Sequence, residues 1–163
     1  FNAKDNCWIE VECGKAQFNI VGLSADEFPN FPKPDKTNFI SLESSLCKEM
    51  IEKTFFAISQ DESKYNLNGI FCQVQEDTNQ LRLVATDGHR LAIAHIDLVD
   101  EIQGQKQQFI IPRKGVVELT RLLSDEAASI TIEFGANHIR ATTNGMVFVS
   151  KLVDGKFPEI VIF

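Results

Sequence analysis

The chain has 163 residues, 44% of them hydrophobic and 24% charged, with a formal net charge of −7. That composition excludes a disordered body, and the length suits one ordinary domain plus a piece of another. No apolar run approaches the roughly 20 residues a bilayer requires, no signal peptide opens the chain, and the acidic balance excludes coating of nucleic acid by bulk charge. A cytoplasmic location without a membrane partner is therefore expected, and any contact with DNA must rest on a local basic face or on topology.

In chain order, Cys7–Glu12 and Ala16–Val21 alternate polar and apolar residues around Gly14-Lys15, which predicts a β-hairpin. One hairpin cannot bury a core, so residues 1–38 are expected to be the tail of a domain whose earlier part is absent, followed by a linker. The linker is Phe28–Pro34, where Pro29, Pro32 and Pro34 remove backbone donors. Residues 39–158 should form a complete domain, and 159–163 the start of a further linker. Phe39-Ile40-Ser41 is a short strand. Ser44 or Ser45 can cap a helix running to about Ser59, with an apolar stripe of Leu46, Met50, Ile51, Phe55 and Ile58. Strands follow at Gly69–Gln75, Gln80–Thr86 and His89–Ile96.

The same order then recurs. Phe109-Ile110-Ile111 is a strand, and Pro112 opens a helix at the tolerated first-turn position. That helix runs to Leu123 with Val116, Leu119, Leu122 and Leu123 on its apolar face. Strands follow at Ser129–Phe134, His138–Thr143 and Met146–Val153. Asn79-Gln80-Leu81-Arg82 matches Asn137-His138-Ile139-Arg140, and Asp87-Gly88 and Asn144-Gly145 close equivalent hairpins with type I′ chemistry. A duplicated βαβββ unit of this size is an α+β fold with two helices on one face of a mostly antiparallel sheet. The cysteines Cys7, Cys13, Cys47 and Cys72 form no CxxC and have no histidine at zinc-finger spacing, so reduced and mostly buried thiols are expected, with no metal and no cofactor.

The segment Val84–Ala92, reading VATDGHRLA, resembles the signature of the middle domain of the bacterial sliding clamp, the DNA polymerase III β subunit. Ala25–Asn30, Leu67-Asn68-Gly69, Ile111–Val116, Asn137–Ala141 and Ser150–Pro158 match the same family in the same order. The resemblance covers nearly the whole chain. It implies a DNA-clamp fold in which helices line a hole and sheets face outward, in a homodimeric ring of three-domain subunits around double-stranded DNA. It implies a processivity factor rather than an enzyme. It also implies partners (polymerase, clamp loader and repair proteins) that dock through short linear motifs carrying a glutamine and hydrophobic residues. A chain lacking most of the first domain and all of the third would not close a ring alone. After Pro158 the family pattern calls for an aromatic and basic stretch, whereas this chain reads Glu159-Ile160-Val161-Ile162-Phe163.

By resemblance, Leu67, Thr86, Gly88, His89, Arg90, Leu91 and Pro158 belong to the partner-peptide groove. Leu67, Leu91 and Pro158 would supply the apolar floor, and Thr86, His89 and Arg90 the polar groups that orient a peptide. The residues placed toward DNA are Lys48, Lys53, Lys64, Tyr65, Arg113, Lys114 and Arg121. Arg113 and Lys114 stand in a first helical turn, where the helix dipole favours acids. A clamp must slide, so a few non-specific phosphate contacts suffice. Phe18 and Ile20 match the family's subunit-contact edge. Two rivals stand against this reading: a small hydrolase using His89 with Asp87, which lacks a nucleophile or metal ligand beside it, and a stand-alone β-rich binding module without DNA.

Overall fold

The computed structural model describes residues 1–30, 38–75, 77–99, 107–123 and 129–159. The chain forms two compact units, Phe1–Phe31 and Pro32–Phe163. In the first, β1 (Asn2–Ala3), β2 (Trp8–Cys13) and β3 (Ala16–Val21) form an antiparallel sheet in that order. Cys13 faces Ala16 across the two-residue Gly14-Lys15 turn, where Gly14 takes φ 60°. The linker expected over Phe28–Pro34 falls largely outside the described residues.

The second unit contains β4 (Asn38–Glu43), α1 (Ser44–Phe55), β5 (Gly69–Gln75), β6 (Gln80–Thr86), β7 (Leu91–Asp97), β8 (Gln107–Pro112), α2 (Arg113–Leu122), β9 (Ser129–Phe134), β10 (His138–Thr143) and β11 (Met146–Lys151). This is the strand–helix–three-strand order twice over. The duplication extends to hydrogen bonds: Leu98 N donates to Asn79 O and Leu152 N to Asn137 O, both at 2.8 Å.

One sheet was expected in this unit; its described residues form two. Their orders are β7-β6-β5-β8 and β11-β10-β9-β4, and every ladder is antiparallel. The first strand of each copy pairs with the second strand of the other, so β4 lies against β9 and β8 against β5. This exchange ties the copies into one body. Helix α1 packs on β6, β7, β4 and β9, α2 on β5, β8 and β11, and the helices touch each other. Side chains alternate accordingly. Ile70, Cys72, Val74, Leu81, Leu83, Ala85, Ile130, Ile132, Phe134, Ile139 and Ala141 face the helices and join Met50, Ile51, Val116 and Leu119 in one buried core. Each fully buried side chain of this size contributes about 1.5–3 kcal/mol. Phe109 of β8 and Phe134 of β9 stack at 5.3 Å between centroids, bridging the two sheets.

Several local expectations are corrected. Helix α1 ends at Phe55 rather than near Ser59: the Thr54 hydroxyl donates back to Met50 O, and Ala57 N and Ile58 N close tighter turns on Thr54 O and Phe55 O. Neither serine caps it. Glu43 holds the cap position without a side-chain bond, and Ser44, 1% exposed, turns its hydroxyl inward without a partner among the described residues. Cys47 and Thr54 take places on the buried stripe, while Leu46 is only half-buried. Pro112 precedes α2 as its cap residue, in extended conformation. Of the thiols, Cys7 and Cys13 are exposed and only Cys47 and Cys72 buried. Burial pushes the Cys47 thiol up to about 12 and raises Cys72 as well.

Candidate partner groove and helix face

The loop between β6 and β7 has four residues, not two, because Thr86 pairs directly with Leu91. Asn144 and Gly145 do form the expected tight turn, with φ 46° and 74°. In the β6–β7 loop only Gly88 is left-handed, at φ 93°. The side chain of Asp87 explains the difference. Its Oδ1 accepts from His89 N at 2.9 Å and Arg90 N at 3.0 Å, and its Oδ2 accepts from Arg90 Nε at 3.0 Å. These amides hold the Asp87 carboxyl below its ordinary range, with the Arg90 charge adding to them. The Thr86 hydroxyl closes the loop by donating to Arg90 O at 2.6 Å and accepting from Gly88 N at 3.1 Å. The Asp87 carboxylate therefore bonds the loop itself, not the His89 ring.

This loop meets the turn at Tyr65–Leu67. Lys64 Nζ donates to Asp87 O at 3.4 Å, and Leu67 N to Lys64 O at 2.8 Å. On its other side the turn meets the strand exit, where Asn66 Nδ2 donates to Lys156 O at 3.1 Å. Leu67, the Thr86–Leu91 loop and the segment before Pro158 are thus brought to one end of the sheet. Leu67 is 9% exposed but stands outside the helix-facing core, whereas Leu91 is 47% exposed. His89, Arg90 and Pro158 are exposed. The Arg90 guanidinium lies 5.6 Å from the Phe56 ring centroid, linking the loop to the end of α1.

The sequence missed the floor beneath these residues. Val84 and Ile110 point away from the helices yet are only 1% and 2% exposed. They are neighbours of Phe71, which stacks on Phe157 at 4.8 Å and 10° between planes. That stack also walls a cleft of about 610 Å³ running past Gln108, Asn137 and Asp154. Strand alternation alone would have put Val84 and Ile110 on the outside; their burial is a tertiary event, and for Ile110 the return segment takes part through Val153 N, which donates to Ile110 O at 3.0 Å.

The residues expected toward DNA divide. Lys48 and Lys53 lie on α1, and Arg113, Lys114 and Arg121 on α2. Lys64 and Tyr65 instead belong to the turn beside the loop. Lys53 pairs with Glu49 and Arg121 with Glu118 on their own helices. Arg113 sits 4.6 Å over the Phe55 ring, which gives this first-turn cation a local partner. Lys114 is exposed. Phe18 and Ile20, 60% and 54% exposed, lie on β3, an edge strand of its sheet.

The family described as DNA polymerase III beta subunit, central domain, matches residues 41–159. The chain belongs to that family. The beta sliding clamp of Pseudomonas putida is 43% identical over 149 residues, covering 91% of this chain and 40% of the relative. Among solved structures, the DNA polymerase III subunit beta of Pseudomonas aeruginosa superposes with TM-score 0.83 at 39% identity, over 96% of this chain and 42% of that one. The DNA polymerase sliding clamp of Bacillus subtilis superposes with TM-score 0.85 at 30% identity, over 97% and 41%. The chain thus spans about two fifths of the length of the relatives it matches. The resemblance to the β subunit drawn from short segments and the α+β clamp fold both stand.

Proposed function

We propose that this chain contributes the middle domain, and the end of the one before it, to a DNA sliding clamp. The assembled homodimer would encircle duplex DNA in the cytoplasm and tether the polymerase, the clamp loader and repair proteins by short linear motifs. It does so without chemistry of its own. Residues 1–38 are the tail of the first domain and its linker, 39–158 the middle domain, and 159–163 lead toward a third. Duplex DNA would pass along the helix layer, held weakly by Lys48, Lys53, Arg113, Lys114 and Arg121, with Lys64 and Tyr65 at its margin. Phe18 and Ile20 would meet the neighbouring subunit.

The observation that carries the partner role is the end of the β6–β7 sheet. A loop stiffened by its own carboxylate and tied by Lys64 to the turn that carries buried Leu67 holds Leu91 half exposed, with the polar groups of Thr86, His89 and Arg90 along it. An apolar floor with few polar groups is what a short hydrophobic peptide needs, and rigid walls lower the ordering cost of binding. Titrating the chain with a peptide that carries a glutamine followed by hydrophobic residues tests the site. Leu91→Ala should weaken binding by about 1–3 kcal/mol while circular dichroism stays unchanged, because Leu91 lies outside the core. Equal affinity in two well-folded proteins would remove Leu91 from the groove.

A further inference from the structure

The two copies of the repeat differ at one outward position on the sheet. Arg140 of β10 faces Glu133 of β9 in the register, and its Nη1 lies 3.3 Å from Glu133 Oε2. The equivalent arginine of the first copy, Arg82 of β6, faces Gln73 of β5. An amide thus stands where the second copy has a carboxylate. Arg82 is half exposed and makes no ion pair among the described residues, although Arg90, Arg121 and Arg140 each have one and Arg113 covers a ring. Its neighbour on the other side is His95 of β7, which is exposed. One row along, Asp97 accepts from Gln80 Nε2 at 2.7 Å. Among the arginines of the described residues, Arg82 is the one with neither an ion pair nor a ring beneath it.

We propose that Arg82, with His95 beside it, forms an acid-accepting subsite that extends the partner groove along the outward face of the first sheet. The proposal rests on the groove reading above. Its occupant is a partner peptide with a glutamate or aspartate on one flank of its hydrophobic anchor. Continuity and spacing favour that occupant. Thr86, Val84 and Arg82 succeed one another on one side of β6, as Leu91, Ile93 and His95 do on β7. In the middle row Val84 is buried and Ile93 half-buried, so along β7 the surface runs from Leu91 over apolar Ile93 to His95, with Arg82 beside it. Four residues of strand span about 13 Å. An extended peptide anchored at Leu91 therefore sets its fourth residue from the anchor over Arg82. A guanidinium fork takes a carboxylate with two parallel hydrogen bonds.

A double-mutant cycle tests this by titration. Motif peptides with glutamate four residues before or four residues after the anchor are compared with their glutamine counterparts, on the wild-type chain, Arg82→Gln and Gln73→Glu. On the wild type, one glutamate peptide should bind about three- to tenfold tighter than its glutamine counterpart, the advantage shrinking with salt. That advantage should vanish in Arg82→Gln, and also in Gln73→Glu, which restores the pairing of the second copy while keeping the arginine. A glutamate advantage of the same size in all three proteins, or none in any, overturns the subsite. Leu91→Ala separates this from the groove itself. If Leu91→Ala weakens every peptide but no charge coupling appears, only the Arg82 assignment falls. If no peptide responds to Leu91→Ala, the groove falls and the subsite with it.

Discussion

Asp87 shows how one carboxylate can set a loop. Asp-Gly chemistry by itself favours a two-residue turn; with the Asp87 carboxylate taken by the His89 and Arg90 amides, the loop widens to four residues and, within it, only Gly88 stays left-handed. The folded carboxyl is held below its ordinary value of 3.8, first by the His89 amide and then by that of Arg90. A depressed folded value means that the contribution is complete above 3.8 and is lost as the pH falls through the lowered value. Protection of the His89 and Arg90 amides, taken as observed exchange relative to the intrinsic rate at each pH, should therefore fall on acidification before that of the buried Leu83 amide. Asp87→Asn keeps an oxygen acceptor without a titrating charge and should flatten the response. If the loop amides follow Leu83 at every pH, the carboxylate does not hold the loop.

At the scale of elements, the junction of β5 and β8 is set by the absence of a side chain. Gly69 faces Pro112, and a Cβ on Gly69 would stand 2.3 Å from Ile111 O and 2.9 Å from Ile110 Cγ2. A carbonyl in a ladder cannot yield as a flexible side chain can. Gly69→Ala should cost about 2–4 kcal/mol in urea unfolding, with the slope against denaturant unchanged. A cost below about 0.5 kcal/mol would mean that the strands separate more freely than their register implies. Strand bounds at Gly69–Gln75, Gln80–Thr86, Ser129–Phe134 and His138–Thr143 were legible because alternation and turn residues mark both ends. The end of α1 was not, since Phe56, Ala57 and Ile58 continue an apolar pattern through the point where the Thr54 hydroxyl competes for carbonyls.

For the whole molecule, the helix layer carries the test of the DNA role. Lys53 and Arg121 are engaged by acids on their own helices, which leaves Arg113 and Lys114, at the start of α2, as the stronger phosphate candidates. In the ring that the proposed function requires, binding of duplex DNA should be independent of sequence and fall steeply with salt. Replacing both Arg113 and Lys114 by alanine should lower the slope of log affinity against log salt by about two units, one for each phosphate no longer neutralised. An unchanged slope would take both residues off the DNA path and leave Arg113 as a lid on Phe55.

The sequence by itself determined the repeat, the class of its helices and strands, the family, and which short segments carry the candidate groove. Those are local properties: periodicity, turn chemistry and runs of characteristic residues need no knowledge of what lies across the fold. Only the tertiary structure decided that β4 and β8 change partners between copies, because a strand's pattern records that one face is buried and not which strand lies beside it. It also decided that Val84 and Ile110, on the outward side of their strands, are buried beside Phe71, which stacks on Phe157. The want of an ion pair at Arg82, among the described residues, belongs to the same class. Arg82 and Arg140 sit in matching tetrapeptides, and their difference arises across a ladder, where one neighbour is Gln73 and the other Glu133.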